Sequence, residues 1–320
     1  MNKIIFFTLI AAGLAGCNRS PEYYFTRGNY LFAAGKENEA LESYNKALLL
    51  KKNYPEALTS RGLLFERQGD KQKAGLDYRK AIDLNPSYLP AYNNLGALLM
   101  DGGNYREAAK LFTEALATKQ DYSYALLNRG LSFYKMGDCA SATEDLTKAL
   151  ELNNKFEMAY YHRALCERNA RNLPAAMADL DALLALNPAA ALARYERGKA
   201  LYYTADYAGA VQEFSKAVEL KPEDPAYSYW LAEALYKAGY MEGALEAAAK
   251  AAALKPASYQ IRGLMGDIYA SLKDKEKATA QYMLAAELSP KFAAIYQSKL
   301  DAMEPAAKKK PAASQRKKRK

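Results

Sequence analysis

Histidine, tryptophan and cysteine are scarce in this chain, and their scarcity narrows the chemistry that it could perform. The 320 residues include one His, one Trp and three Cys. His162 has no nucleophile, base or metal ligand at a recognisable spacing, and the sequence has no paired-Cys metal motif, Gly-rich phosphate loop or nucleophile elbow. We therefore expect a binding protein rather than an enzyme, with no cofactor.

Long hydrophobic runs are also missing, apart from one short run near the amino terminus. After the cation Lys3, residues 4–12 are predominantly apolar. Such a run is too short to span a bilayer but is typical of a secretory signal peptide. Leu14-Ala15-Gly16-Cys17 follows and resembles a bacterial lipobox. The resemblance implies cleavage of residues 1–16 and lipidation of Cys17; an ordinary signal peptide with a Cys nearby by chance is the alternative.

The lipidated Cys and a short linker would occupy residues 17–20. Two or more acyl chains hold a protein stably to a membrane, so we expect a lipid-anchored protein of the bacterial cell envelope. The residue after Cys17 is Asn18 and not Asp, the residue that resembles an inner-membrane retention signal. This favours the outer membrane, with the protein facing the periplasm.

Positive charge is concentrated at the carboxyl end. The formal net charge is +9, but without Lys3 and the tail the basic residues number 36, equal to the 36 acidic ones. Residues 305–320 have no apolar period and are expected to be disordered. Their charge could bind anionic lipid or an acidic wall polymer, or could serve solubility alone; nucleic acid is not expected for an exported chain. The cations are Lys308, Lys309, Lys310, Arg316, Lys317, Lys318, Arg319 and Lys320.

A 34-residue step organises the chain from Pro21 to Phe292. With each copy numbered from slot 1, slot 20 is Ala in all eight copies, slot 8 is Gly in six, and slot 24 is usually aromatic. Small residues would let two helices cross closely, with the aromatic ring beside the crossing. Gly at slot 15 would end a first helix, and Asp or Asn at slot 16 could cap the second. The units are 21–54, 55–88, 89–122, 123–156, 157–190, 191–224, 225–258 and 259–292.

A helix–turn–helix unit with this length and pattern resembles the tetratricopeptide repeat. The resemblance implies an all-α solenoid, in which stacked repeats supply the core and form a right-handed superhelix with a concave groove. Residues 293–304 are similar to a lone first helix. We expect them to form a capping helix in which Ile295, Tyr296 and Leu300 cover the last repeat.

Tyrosine is abundant, with 26 residues against 10 Phe, and its placement suggests a binding surface. In arrays of this family, slots 2, 5, 9 and 12 of the first helix line the groove. Tyr suits an extended peptide because it combines a large ring with a hydroxyl. The alternative is that the rings pack between helices. The candidates are Tyr124 at slot 2, Tyr161, Tyr195 and Tyr229 at slot 5, and Tyr134, Tyr202 and Tyr236 at slot 12.

Two further cysteines fall in adjacent repeats. Cys139 is at slot 17 of the fourth repeat and Cys166 at slot 10 of the fifth, and these slots fall on neighbouring helices in such arrays. An exported chain meets an oxidising compartment, so a disulfide could join them. Buried free thiols are the alternative.

These features predict a membrane-anchored scaffold that binds protein partners through its concave groove, with a role in assembling an envelope complex. The alternative is an envelope tether, in which the basic tail binds anionic lipid or wall polymer and the repeats act as a spacer. Loss of a protein partner on changing groove residues would favour the scaffold, and loss of polymer binding on tail deletion would favour the tether.

Overall fold

The computed structural model describes residues 19–303, and Cys17 and the basic tail lie outside them. Within this range the chain forms seventeen α-helices, one 3-10 turn at Pro290–Phe292 and no strand. The prediction of an all-α repeat fold is therefore confirmed. In the same range, no helix is both long enough and apolar enough to cross a membrane.

The helices come in pairs, and each first helix begins 34 residues after the previous one. The first helices are α1 (Pro21–Ala33), α3 (Pro55–Arg67), α5 (Leu89–Asp101), α7 (Ser123–Lys135), α9 (Glu157–Asn169), α11 (Ala191–Tyr203), α13 (Pro225–Lys237) and α15 (Tyr259–Ser271). The second helices are α2 (Glu37–Leu50), α4 (Lys71–Leu84), α6 (Tyr105–Thr118), α8 (Cys139–Leu152), α10 (Leu173–Leu186), α12 (Tyr207–Leu220), α14 (Met241–Leu254) and α16 (Lys275–Leu288). The unpaired α17 (Ala293–Met303) follows them.

The chain divides into two compact units between Asn154 and Lys155. In the first unit, α1 contacts α3, α3 contacts α5, and α5 contacts α7. In the second unit, α13 contacts both α11 and α15. Successive second helices make no comparable contact within the described part of either unit. These first helices therefore lie on the inner side of the stack within their own unit.

The two helices of a pair cross where a small residue meets a ring. A Cβ built on Gly62 would lie 2.5 Å from Cε1 of Tyr78, closer than real side chains pack. A Cβ on Gly96 would lie 2.2 Å from Cζ of Phe112 in the next repeat. Both rings are fully buried, as is the slot 20 residue Ala74. Gly, Ala and the aromatic residues thus recur because they let the helices pack closely.

The turn between the two helices has a left-handed residue at slot 15 in all eight repeats. Five of these residues are Gly, but Arg171, Ala205 and Lys273 adopt φ of 62° or 63°. At Ala205 the backbone amide donates to the Tyr202 carbonyl at 3.0 Å, and the next amide donates to Leu201 at 2.9 Å. These bonds close the helix end, so the turn keeps its conformation even where the side chain disfavours it.

The predicted N-caps are confirmed at the Asp residues and wrong at the two Asn residues. Asp70, Asp138, Asp206 and Asp274 each accept a hydrogen bond from a backbone amide in the first turn of the second helix. Asn104 and Asn172 occupy the same position without such a bond. The Asn172 amide group instead donates to Glu167 at 2.7 Å.

A buried ion pair, which the sequence analysis did not identify, joins the two helices in four repeats. In the second repeat, the Arg61 guanidinium donates to both carboxylate oxygens of Asp77, at 2.7 and 2.8 Å. It also donates to Asn45 of the preceding repeat at 2.7 Å, so one side chain links three helices. The equivalent pairs, between slots 7 and 23, are Arg129–Asp145, Arg163–Asp179 and Arg197–Glu213.

The helix α17 covers the last repeat through Tyr296. This ring is buried against Gly263 and lies 6.2 Å from the ring of Tyr282, and Leu300 packs on the same cluster. The prediction that Ile295 also covers the repeat is wrong, because its side chain is 54% exposed. Ile295 lies about 100° around the helix from Tyr296 and therefore faces away.

Candidate binding surface

Within each unit, we call the surface formed by slots 2, 5, 9 and 12 of its first helices the first-helix face of that unit. At about 100° per residue, these four slots lie within about 80° of one another around a helix. In the second unit the face includes five of the predicted tyrosines, Tyr161, Tyr195, Tyr202, Tyr229 and Tyr236, all of them half-buried. In the first unit it includes Tyr124 and Tyr134 on α7.

Glu233, at slot 9 of α13, holds two of the predicted tyrosines. The hydroxyl of Tyr229 donates to Oε1 of Glu233 at 2.7 Å, and the hydroxyl of Tyr202, from α11, donates to Oε2 at 3.4 Å. Burial, reinforced by the Glu233 carboxylate, raises the pKa of Tyr202 to about 12 and also raises the pKa of Tyr229. Both hydroxyls therefore remain protonated donors at neutral pH, and the carboxylate fixes the positions of both rings.

Lys199, at slot 9 of α11, lies between two aromatic rings. Its Nζ is 5.1 Å from the ring centroid of Tyr195 and 5.8 Å from that of Trp230, and Glu196 is 3.5 Å away. Burial lowers the pKa of Lys199, and Glu196 opposes that shift. The ring of Trp230 also lies 5.3 Å from that of Tyr202. Trp230 was not predicted from the sequence, where its only signal is that it is the single Trp and directly follows a slot 5 residue.

Some of the predicted tyrosines also pack between helices. The ring of Tyr195 lies 4.9 Å from that of Tyr227 and 6.0 Å from that of Phe214, and both of these neighbours are buried. The hydroxyl of Tyr236 lies 3.1 Å from Oγ of Ser271 on α15. Such rings are anchored in the core at one side and reach the first-helix face at the other. That they bind a partner stays a prediction.

Exposed apolar side chains occupy slot 2 in three successive repeats. Tyr124 is 50% exposed on α7, Met158 52% on α9 and Leu192 43% on α11. Only Tyr124 of these three was predicted from the sequence; Met158 and Leu192 were not. The signal was present, because the slot that selected Tyr124 holds an apolar residue in the next two repeats as well.

His162, Cys139 and Cys166 are the other residues singled out in the sequence. His162 is buried with its ring 5.1 Å from that of Tyr161, which fits a packing role. Cys139 is the first residue of α8, and Cys166 is buried in α9. The disulfide between them stays a prediction. No cluster of His, Cys, Asp and Glu residues suited to a metal ion occurs among residues 19–303.

Comparison with family models identifies the repeats. A model described as tetratricopeptide repeat matches residues 93–135, 127–191 and 195–259, which together exceed half of the chain. The chain belongs to the tetratricopeptide repeat (TPR) family. Two further models of this repeat match residues 19–69 and residues 55–88 with 259–292. A model of the prokaryotic membrane lipoprotein lipid attachment site matches residues 1–18, so the TPR protein carries this site at its amino end.

Solved structures share the TPR fold at low sequence identity. PilF of Pseudomonas aeruginosa is 22% identical with a TM-score of 0.60, and the alignment covers 67% of this chain and 97% of PilF. A tetratricopeptide repeat protein of Parabacteroides merdae is 22% identical with a TM-score of 0.54, over 77% of this chain and 97% of its own. YrrB, described as a TPR protein with an unusual peptide-binding site, is 24% identical with a TM-score of 0.51, over 58% and 96%. At these identities the likeness shows the fold alone. Comparison with curated proteins finds no significant match.

Proposed function

We propose that this TPR protein is a lipid-anchored scaffold that binds an extended segment of a partner protein on its first-helix face. TPR repeats generally form non-enzymatic interaction scaffolds, and the lipid attachment site supports a membrane anchor. The observation that carries the proposal is the exposure of Met158 and Leu192 on the same face as the half-buried tyrosines. We further propose that the scaffold serves the assembly of a complex in the cell envelope, facing the periplasm from the outer membrane.

The first-helix face of the second unit offers both contact area and fixed polar groups. Burying a Met or Leu side chain contributes about 1.5–3 kcal/mol relative to leaving it exposed. A carboxylate has about four lone-pair sites. Glu233 accepts from Tyr202 and Tyr229 and therefore keeps capacity for a donor of the partner, such as a backbone amide. An extended segment fits this face because its successive side chains point to opposite sides, so every second side chain can contact the apolar residues. The backbone amides between them can donate hydrogen bonds.

The rings of this face are held before any partner arrives. Tyr202 and Tyr229 are fixed by Glu233, and Tyr195 is fixed by packing against Tyr227. Binding costs less when the side chains that make contact are already ordered. Peptide binding is also described for YrrB. We extend it to this chain as part of the proposal.

Replacing the exposed apolar pair should weaken partner binding without unfolding the protein. In Met158→Ser with Leu192→Ser, we expect partner affinity to fall by about 10- to 100-fold, because a few buried apolar anchors dominate most protein interfaces. The melting temperature should change little, since both side chains are exposed in the free protein. The measurement is the amount of partner that co-purifies with the full-length lipidated protein from native membranes.

The matched control is Met283→Ser with Leu284→Ser on the second helix α16. These side chains are 51% and 41% exposed, close to the values for Met158 and Leu192. The control should retain the partner. Equal loss in both double variants, or retention in both, would contradict binding on the first-helix face.

The envelope tether remains a second candidate, favoured by the eight cations without an acid in residues 308–320. Each Lys or Arg near an anionic surface contributes about 1 kcal/mol, and salt screens this attraction. Deletion of residues 305–320, measured beside the apolar pair, separates the candidates. If the scaffold is correct, this deletion leaves the protein partner bound. A tether would instead lose salt-sensitive binding to anionic lipid or wall polymer when the tail is deleted. It would also have no protein partner whose binding depends on Met158 and Leu192.

Cys17→Ser should move the protein from the membrane fraction to the soluble fraction. The reason is that the lipid attachment site would then lack the thiol that receives the lipid. Fractionation followed by immunoblotting measures the distribution, and density-gradient separation of the unchanged protein tests the outer-membrane proposal. Cys139→Ser is the control, because it leaves residues 1–18 intact. Continued membrane pelleting of the Cys17→Ser protein would show that another feature holds it there.

A further inference from the structure

One face of α1 departs from the pattern of the other first helices. Slot 3 is buried in the seven later repeats, where it is usually Ala, as at Ala57 and Ala91. In the first repeat this slot is Tyr23, which is 41% exposed. Slot 10 shows the same contrast, since Leu64 is fully buried whereas Tyr30 is 74% exposed. Large aromatic side chains of the first repeat thus occupy slots that hold buried contact residues in later repeats.

The contrast arises because, within each unit, a later repeat is covered by the helix pair before it. The second helix of one repeat contacts the first helix of the next, as α2 contacts α3 and α4 contacts α5. Among residues 19–303, no helix precedes α1. Tyr23 and Tyr30 therefore occupy contact positions that the described part of the chain leaves uncovered.

The uncovered side of α1 combines aromatic rings with positive charge. We define the α1 face as Arg19, Tyr23, Thr26, Arg27 and Tyr30, all of which are exposed and none of which is acidic. The Arg19 guanidinium lies 4.5 Å from the ring centroid of Tyr23 and donates to its hydroxyl. An apolar ring with a polar edge, beside a cation, is the chemistry that membrane interfaces favour.

We propose that the α1 face rests on the lipid headgroups of the membrane that holds Cys17. The proposal rests on the proposed lipid anchor. Ser20 caps α1 by accepting from the Tyr23 amide at 3.2 Å, so only Asn18 and Arg19 separate Cys17 from the start of the helix. Three residue steps of about 3.8 Å reach at most about 11 Å. The anchor therefore keeps the start of α1 within about 11 Å of Cys17.

The spacing of the two rings sets the orientation of the helix. Tyr23 and Tyr30 are seven residues apart, which is about 10 Å along a helix axis. Both rings can reach one flat surface only when α1 lies roughly parallel to it. The two arginines then face anionic headgroups, and each contributes to the attraction.

Tyrosine modification with N-acetylimidazole, read by mass spectrometry, tests this contact. One sample is the full-length lipidated protein in vesicles of phosphatidylethanolamine and phosphatidylglycerol. The other is the full-length Cys17→Ser protein in solution without vesicles. We expect acetylation of Tyr30 to be about tenfold slower on vesicles, because a ring among headgroups is shielded from the reagent. Tyr240, which is 61% exposed in the second unit, is the internal control and should react equally in both samples.

The outcomes separate the α1 contact from the anchor. Vesicle flotation is measured first, and a lipidated protein that does not float would refute the anchor together with this proposal. A protein that floats while Tyr30 reacts as fast as in solution would overturn the α1 contact alone. Protection of Tyr30 that rises with the concentration of the soluble Cys17→Ser protein would show that a second copy covers the face and would also overturn the proposal.

A variant without the two arginines tests the contact between the α1 face and the headgroups in a second way. Arg19→Gln with Arg27→Gln removes both cations of the α1 face and leaves Cys17 and the rings in place. Removing two cations should weaken attraction to anionic lipid by about 10- to 30-fold, so protection of Tyr30 should fall while flotation persists. Unchanged protection would contradict the part assigned to the arginines.

Discussion

Arg129→Ala should lower the free energy of unfolding of the first unit by about 3–5 kcal/mol, because it leaves a buried carboxylate without its partner. Arg129 donates to both carboxylate oxygens of Asp145, at 2.7 and 2.8 Å, and to Oγ1 of Thr113 at 3.1 Å. The Asp145 side chain is only 4% exposed, so water cannot replace the lost donors. The bidentate bond to Asp145 also raises the pKa of Arg129, which keeps the guanidinium charged.

The exposed pair Arg79–Glu107 provides the control for this change. Its atoms are 3.2 Å apart, but the two side chains are 54% and 56% exposed. Arg79→Ala should therefore cost about 0–1 kcal/mol. Repeat arrays can unfold in parts, so amide hydrogen exchange of α7 and α8 is measured together with the thermal midpoint. A cost for Arg129→Ala no larger than that for Arg79→Ala would contradict the structural role of the pair.

Gly62→Ala and Gly75→Ala should change stability in opposite directions, although both place Ala within a helix of the second repeat. A Cβ on Gly62 would lie 2.5 Å from Cε1 of Tyr78. The Tyr78 ring cannot move aside, because it is fully buried and its hydroxyl donates to Glu66 at 2.9 Å. Overpacking of this kind costs about 1–3 kcal/mol, occasionally more.

Gly75 lies in α4, where a methyl group fits without a clash. A Cβ there would meet its nearest neighbour, Cδ2 of Leu98, at the ordinary contact distance of 3.6 Å. Gly75→Ala should therefore stabilise the protein by about 0.5–1 kcal/mol, because Ala loses less backbone entropy in a helix. Thermal denaturation of both variants measures the two signs. Two shifts of the same sign would contradict the packing assigned to Gly62.

The two repeats that lack Gly at slot 8 support the packing role assigned to Gly62. Slot 8 is Ala only at Ala164 and Ala232, and the slot 24 residues in these repeats are Leu180 and Ala248, which are not aromatic. Where slot 24 is Tyr or Phe, slot 8 is always Gly. The double variant Gly62→Ala with Tyr78→Ala should therefore lose less stability than the sum of its single changes.

The fold could be predicted from the sequence because its determinants are local and repeat at a fixed step. Gly at slot 8, Ala at slot 20 and the slot 24 ring specify how the two helices of a repeat cross. The pattern can be recognised because the unit recurs eight times. The Arg129–Asp145 type of pair was missed because charged residues usually occupy solvent-exposed positions. Its signal was a spacing of 16 residues between Arg and an acid, present in four repeats.

The candidate surface was only partly predictable, because slot position does not determine exposure. Tyr195 was predicted on the groove, yet its ring also packs against the buried Tyr227. Tyr23 occupies a slot that is buried in every later repeat and is exposed only because no helix of the described range precedes α1. The amino acid types of the slots follow from the sequence, but the neighbours that cover each slot follow only from the stacking.

Site-specific photo-crosslinking in cells tests most directly whether a partner lies on the first-helix face. A benzophenone amino acid is placed in turn at Met158, Leu192 and Ala226 on the first-helix face of the second unit, and at Met283 and Tyr240 away from it. All five positions are exposed, so each can hold the probe without unfolding the protein. We predict crosslinks to the same partner protein from the first three positions and from neither of the others. The opposite pattern, or equal crosslinking at all five positions, would contradict the account.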